Sequence, residues 1–379
     1  DPRELATDIG PVIDAEAAGL IESHLRTLQA RGRRVWRLAL DASRAASLTA
    51  QGSFVAPAIV ELASVAELER EVFGPVLHVL RYPRDRLAQT LEQINATGFG
   101  LTQGVHTRID ETVAQVVGMA RAGNLYVNRN IVGAVVGVQP FGGEGLSGTG
   151  PKAGGPLYLL RLLARRPAQA AGRAVAHNGA PARPPVRGLD HDTAGSSPAE
   201  TVATLRTWAQ AQGMDPLALH CDQVISASPV GGWHALPGPT GEANLYAVQA
   251  RPAVLCLADD DADRLAQLAA VLAVGSRAVW PLQTRPLLER LPPALREQIA
   301  LAQDWQQTSV HFDAVLQHGD ATALLHTAAA LVGRPGPIVG LTGLVPGDWR
   351  VPLERLVIER SLSINTAAAG GNASLMTIG

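Results

Sequence analysis

Few side chains in this sequence can do covalent or metal chemistry. There are two cysteines, Cys221 and Cys256, and ten histidines; of the 32 basic Lys and Arg residues only Lys152 is a lysine. Two cysteines exclude a disulfide scaffold and a Cys-based zinc site. The histidines form no His-x-x-x-His or His-Glu-x-x-His pair, so a zinc enzyme finds no support. His220 adjoins Cys221, but sequence neighbours rarely face each other usefully, which disfavours a Cys–His nucleophile pair. Cys256 sits in the apolar run Ala253–Ala258 and reads as a core residue. Asp259, Asp260, Asp261 and Asp263 could suggest a metal, but a helix N-terminus collects carboxylates in the same way. No metal site and no catalytic residue is therefore assigned.

Glycines offer two further possibilities. Gly143-Glu-Gly-Leu-Ser-Gly148 matches G-x-G-x-x-G, yet a dinucleotide fingerprint needs a strand before it and a helix after it. Neither context fits, and a loop where backbone must approach a ligand or neighbouring chain explains the glycines better. Gly148-Thr-Gly-Pro-Lys152 is no P-loop, because no Gly-Lys-Ser/Thr opens a helix there. Glu71-Val-Phe-Gly-Pro75 is more pointed. In an extended segment Glu71 and Phe73 share one side. A carboxylate can accept two ribose hydroxyls, and a ring beside it can pack on a flat heterocycle. On chemistry alone, an exposed glutamate and a core phenylalanine explain the pattern better.

Elements that would position these residues alternate. Helices are expected at Asp14–Gln29, with Asp14 as N-cap, and at Leu87–Ile94 and Thr112–Arg121. Strands are expected at Val35–Leu40, Phe54–Leu62 and Leu125–Asn128. Gly133–Pro156 holds nine glycines and must be loop. Farther on, Thr201–Gln212 is a helix, and Ala253–Ala258, Ala262–Val274 and Arg277–Leu282 spell strand, helix, strand. That is a βαβ unit and implies parallel sheet.

The chain has 379 residues, 46% hydrophobic, with formal charge −2. It can bury a core and has no global pull toward nucleic acid or anionic membrane. No apolar run approaches a membrane span, no signal-peptide pattern opens the chain, and the cytoplasm is the default. Composition shifts to Ala, Pro, Gly and Arg around 165–199, which reads as a linker.

Glu71-Val-Phe-Gly-Pro resembles the E-[IV]-F-G-P motif of the aldehyde dehydrogenase superfamily. Asp8–Asp14, Phe54–Ile59, Asn95–His106 and Ala122–Asn128 resemble that family's neighbouring segments in the same order. Asn128–Tyr158 and Glu359–Gly379 are similar to the proline utilization A family, which joins a flavin-dependent proline dehydrogenase to an NAD-dependent L-glutamate-γ-semialdehyde dehydrogenase. The resemblance implies an α/β chain: a partial aldehyde dehydrogenase fold at 1–164, the linker 165–199, a noncatalytic Rossmann-like domain at 200–358 and a C-terminal motif at 359–379.

By the same resemblance Glu71 binds the nicotinamide-side ribose of NAD and Phe73 packs near the nicotinamide. Gly133 and Ala134 hold the substrate carboxylate through backbone N–H groups, and Phe141 packs on the substrate's methylenes. The family's thiolate, base and FAD domain precede these motifs, and no cysteine precedes Glu71. The expectation is a C-terminal fragment, inactive alone, whose partners are glutamate semialdehyde, upstream domains of its own polypeptide and, in the full-length protein, further copies of itself. Leu157–Leu162 is expected in a protruding strand pair covered by the second domain, and the terminal motif is expected to fold back and help seal a tunnel. Two alternatives stand beside this: a noncatalytic assembly or binding module, and an aldehyde dehydrogenase for another carboxylated aldehyde.

Overall fold

The computed structural model describes residues 5–39, 43, 52–163, 166–167, 169–189 and 197–367. These divide into two compact units, Asp1–Thr97 and Gly98–Gly379.

In the first unit, helix α1 (Ala15–Ala30) starts where the Asp14 carboxylate accepts the Ala17 N–H at 2.7 Å. Its buried residues Ile21, Leu25 and Leu28 recur at helical spacing. They pack on Val55, Ala58, Val60 and Leu62. Strands β1 (Val35–Arg37), β2 (Ala58–Leu62) and β3 (Val76–Leu80) form one sheet, antiparallel between β1 and β2 and parallel between β2 and β3. The parallel crossover carries the Glu71–Pro75 segment. Helix α2 (Leu87–Ala96) closes the unit. Both expected strands are shorter than their apolar runs: Phe54–Pro57 lies outside β2, and Leu40 lies outside the described residues.

The second unit opens with β4 (Phe99–Gly100), β5 (Thr102–Val105), helix α3 (Asp110–Met119), β6 (Asn124–Val127) and β7 (Glu144–Gly145). Then come helix α4 (Ala170–Asn178), β8 (Pro181–Ala182), helices α5 (Pro198–Ala211) and α6 (Asp215–Ala227), β9 (Trp233–Leu236) and β10 (Glu242–Ala250). So the segment 165–199, expected as a linker, contains a helix and a strand. Ala171 and Val175 of α4 are buried, and β8 pairs with β9. Two buried small apolar residues one turn apart suffice to dock a short helix, a signal too weak to stand out in a Pro/Ala/Arg background.

The elements that follow include β11 (Ala253–Leu257), helix α7 (Asp261–Ala273), β12 (Arg277–Pro281), two short helical segments (Arg285–Arg290 and Pro293–Arg296), β13 (Ile299–Ala302), β14 (Ala314–His318), helix α8 (Ala321–Val332), β15 (Gly340–Leu344) and β16 (Val357–Asn365). Five of these strands make an all-parallel sheet in the order β13-β12-β11-β14-β15. That is a Rossmann-like order, with the crossover reversing between β11 and β14. Asp260 caps α7, accepting from Ala262 and Asp263, so the aspartate cluster is a helix start. Residues 263–273 of α7 are all buried, which makes it the central helix of the unit.

The other large sheet has the order β5-β6-β16-β10-β9-β8. Strand β16 pairs along all nine residues with β10 and in parallel with β6. Strands before and after the expected linker therefore share one sheet. Leu157–Leu162 is not part of a strand pair: Leu159–Arg161 is a 3₁₀ turn. Leu157 and Leu160 enter the core, while Leu159 and Leu162 stay exposed. Of the C-terminal motif, Glu359–Asn365 is strand, and 368–379 lies outside the described residues.

The approach to β6 is steric. A Cβ on Gly123 would lie 1.9 Å from the Gly142 carbonyl oxygen, which is backbone and cannot yield cheaply. Gly123→Ala should therefore destabilise the protein by at least about 1–3 kcal/mol. A thermal melt within a degree of the parent would count against this packing.

Candidate functional site

Within the first unit, Val72 packs on the core while Glu71 and Phe73 are exposed, Phe73 at 84%. The middle residue pins the segment and its neighbours face outward. Pro75 accepts from the Ala58 N–H at 3.0 Å, tying the segment to β2. An exposed carboxylate and an exposed ring, two residues apart, are groups that could receive a ribose and a flat heterocycle. The alternative of a core phenylalanine fails at position 73.

In the second unit, the loop after β6 starts at Asn128, whose φ of 57° is left-handed. Its side chain exchanges two hydrogen bonds with Thr107, each 2.9 Å, which stabilises the turn. Farther along, the Val132 N–H donates to Asn130 Oδ1 at 3.3 Å and the Val135 N–H to Gln139 Oε1 at 3.1 Å. Between them lie Gly133 and Ala134. Among the described residues, neither of their N–H groups has an acceptor. Two adjacent unpaired N–H groups in a held loop are suited to an anionic oxygen.

What holds this loop comes from late in the chain. Gln139 is buried, and its Nε2 donates to Asn244 Oδ1 at 2.7 Å, Glu242 Oε1 at 3.0 Å and Ser363 Oγ at 3.2 Å. Arg129 donates to Glu242 Oε2 and Ser363 Oγ, both at 2.8 Å, and lies over the Tyr126 ring. Phe141, half-buried, is fixed by a two-way backbone bridge to Ala153, at 3.0 and 2.8 Å.

Beside Phe141 stands the only lysine. Lys152 is buried, and its Nζ donates to Gly142 O at 2.5 Å and Asn124 Oδ1 at 2.8 Å. Its backbone N–H donates to Glu359 Oε2 at 2.7 Å, and Tyr246 donates to Glu359 Oε1 at 2.8 Å. Burial lowers the ammonium to a pKa of about 7, against the partial compensation of Glu359 and Glu144. Burial likewise raises the Glu359 carboxyl, opposed by the hydrogen bonds it accepts from Lys152 and Tyr246. The G-x-G-x-x-G stretch serves backbone contact: a Cβ on Gly145 would lie 2.4 Å from the Gly98 carbonyl oxygen, and its φ is +65°.

Both cysteines are buried, and burial pushes each thiol up to about 12. Neither can supply a thiolate near neutral pH. Among the described residues, no group of three or more His, Cys, Asp or Glu could hold a metal, and no helix is long and apolar enough to cross a membrane.

Spacing and resemblance thus point to Glu71, Phe73, Gly133, Ala134 and Phe141. The last three lie in one held stretch of the second unit, and the first two in the first unit. Of the supporting residues, Arg129 and Gln139 lie in the segment Asn128–Tyr158 and Glu359 and Ser363 in Glu359–Gly379, both singled out by resemblance, but nothing local in the sequence pairs them with each other or with Glu242 and Tyr246.

Residues 1–165 match the model of the aldehyde dehydrogenase family. Over its whole length the chain is similar to the bifunctional protein PutA of Escherichia coli (strain K12), with 53% identity over 381 residues, covering 100% of this chain and 28% of that protein. The human mitochondrial delta-1-pyrroline-5-carboxylate dehydrogenase is 44% identical over 115 residues, 29% of this chain and 20% of that one. Among solved structures, proline utilization A from Corynebacterium freiburgense covers 89% of this chain and 30% of its own, at a TM-score of 0.56 and 21% identity; this is a likeness of fold.

With a single lysine, the titration of Nζ can be followed in lysine-labelled protein by NMR without assignment. One signal with a midpoint near 7 is expected, and a midpoint near the ordinary 10.5 would remove the burial argument. The stability consequence has a definite sign. Between about pH 7 and 10.5 the unfolded chain binds more protons at this residue, so the Lys152 contribution rises with pH across that window.

Proposed function

We propose that this chain is part of a bifunctional proline-catabolic enzyme and serves the NAD-dependent oxidation of L-glutamate γ-semialdehyde to glutamate. The chain spans 28% of its Escherichia coli relative, so the activity belongs to a longer polypeptide. The observation that carries the reading is the pair of unpaired N–H groups at Gly133 and Ala134, flanked by N–H groups that are both satisfied. Such a pair can receive the carboxylate of a semialdehyde substrate.

In this reading Gly133 and Ala134 bind the substrate carboxylate, and Phe141 packs on the methylenes between carboxylate and aldehyde. This fixes the distance from the anchored end to the reacting carbon. Gln139, held by Asn244, Glu242 and Ser363, keeps the anchor in shape before substrate arrives, so little ordering is needed on binding. Glu71 would accept hydrogen bonds from the nicotinamide-side ribose, and Phe73 would lie against the nicotinamide. When bound, NAD accepts the hydride released as the aldehyde carbon is oxidised. The nucleophile that makes this hydride available is a thiolate in the aldehyde dehydrogenase family, and Cys221 and Cys256 are unsuited to that task. It is supplied by another part of the polypeptide, as is the FAD-dependent proline dehydrogenase activity.

Two measurements test this. The isolated chain with NAD and glutamate semialdehyde should form no NADH, and steady turnover would refute the division of labour. In the complete enzyme, Ala134→Pro removes one anchor N–H. The KM for the semialdehyde should rise roughly tenfold or more, the scale of one hydrogen bond to a charged group. An unchanged KM would show that the carboxylate is held elsewhere.

A further inference from the structure

The solitary lysine is unused by the chemistry just described, and its surroundings are built around it. Its Nζ reaches two acceptors on different segments: the Asn124 side chain at the start of β6 and the Gly142 carbonyl of the glycine-rich loop. Asn124 itself completes the link, because its Oδ1 also accepts the Gly142 N–H at 3.1 Å and its Nδ2 donates to Pro140 O at 2.9 Å. Lysine and asparagine therefore grip both residues that flank Phe141. From the other side, Ala153, next to Lys152, bridges Phe141 through two backbone hydrogen bonds.

The slot admits a lysine and little else. A Cβ at Gly123 would lie 2.8 Å from Nζ, and a Cβ at Gly142 would lie 3.3 Å from the Lys152 Cα. Both neighbours are glycine, so the stem and the point charge fill a space closed by backbone. A planar guanidinium is wider and seeks fork-shaped acceptors, which this slot does not offer. In a sequence that otherwise uses arginine for its side-chain cations, this is a physical reason for the exception. The ammonium is held by Asn124 Oδ1 and Gly142 O, with Glu359 and Glu144 as the acidic groups that favour its charge and Arg360 as the cation that opposes it.

We propose that Lys152 is a positioning residue for substrate selection: with Asn124 it sets the place of Phe141, and so determines how well the enzyme binds an aldehyde long enough to lie against that ring. The inference rests on the assignment of Phe141 to the substrate's methylenes. Lys152 touches neither the substrate nor the reacting atoms in this scheme. Its effect should fall on binding of a long aldehyde and spare a short one.

The test compares glutamate semialdehyde with acetaldehyde, which has no methylene chain and no carboxylate, in the complete enzyme. Lys152→Met keeps the stem and removes the donors. It should raise the KM for glutamate semialdehyde roughly tenfold, with kcat changed less than about twofold and kcat/KM for acetaldehyde unaltered. Equal losses for both aldehydes would mean a general structural role and would overturn the proposal, as would an unchanged semialdehyde KM. Should Lys152→Met fail to fold, Asn124→Ser shortens the shared acceptor and must give the same split between the two aldehydes. Phe141→Ala separates the two levels. If it leaves the semialdehyde KM unchanged, the assignment of Phe141 falls and the proposal with it. If it raises that KM while Lys152→Met does not, only the role of Lys152 is overturned.

Discussion

The pairing of β16 on both edges is the constraint on which the second unit depends. A strand inserted between β6 and β10 satisfies its backbone groups on both sides, and it cannot leave without orphaning both neighbours. Its alternation then decides what is held where. Leu362 and Ile364 point into a core with Val113, Val117, Leu125 and Val127. Glu359, Ser361 and Ser363 point the other way, and each binds a different part of the segment 129–152. Glu359 accepts the Lys152 N–H, Ser361 donates to Pro140 O at 2.7 Å, and Ser363 accepts from Arg129 and Gln139. Three consecutive residues on one strand face thus fix a glycine-rich stretch that has almost no regular structure of its own.

Such a stretch needs an external frame. Glycines let the backbone come close at positions 123, 143 and 145, where a Cβ would lie under 3 Å from neighbouring atoms. The same freedom raises the entropy that folding must overcome. Buried polar anchors supply the opposing term. They are directional, and leaving any one unpaired is costly, so they specify a single loop shape in a way that apolar contacts would not. The Gly133–Ala134 amides lie within this frame without an acceptor, between the satisfied N–H groups of Val132 and Val135.

Local order was legible in the sequence. The Asp14 cap, the apolar stripe of α1, the strand–helix–strand run from Ala253 to Pro281 and the parallel sheet it implies all follow from periodicity and capping chemistry. So did the glycine loop and the buried state of Cys256. The Glu71–Pro75 motif was legible through resemblance, and its outward-facing Glu71 and Phe73 follow from strand alternation around Val72. Nonlocal pairing was not legible. Nothing in Val357–Asn365 names β6 as a partner more than 200 residues away, and α4 has too few apolar residues to stand out against its Ala-rich surroundings. The turn at Leu159–Arg161 differs from the expected strand because Leu157 and Leu160 are both drawn into the core, a spacing that suits a helical turn rather than a period of two.

The Rossmann-like sheet shows how a familiar frame can be turned to another use. Open sheets of this kind bind ligands at the carboxyl ends of their strands, where the strand order reverses. Here that place, between β11 and β14, is filled by the chain's own side chains. Gln267 donates to Leu257 O and pairs with His318 Nδ1, while His318 Nε2 meets Asp348 O at 2.9 Å. Asp263 accepts from Gly347 and from the Trp349 indole. The first turn of α7 begins with aspartates rather than glycines, so its N–H groups are capped by Asp260 instead of lying open to phosphate. A dinucleotide would have to displace this network and approach a carboxylate-rich helix start. The unit is better suited to carrying β10 and β16 rigidly against the loop that holds Gly133, Ala134 and Phe141 than to binding a cofactor itself.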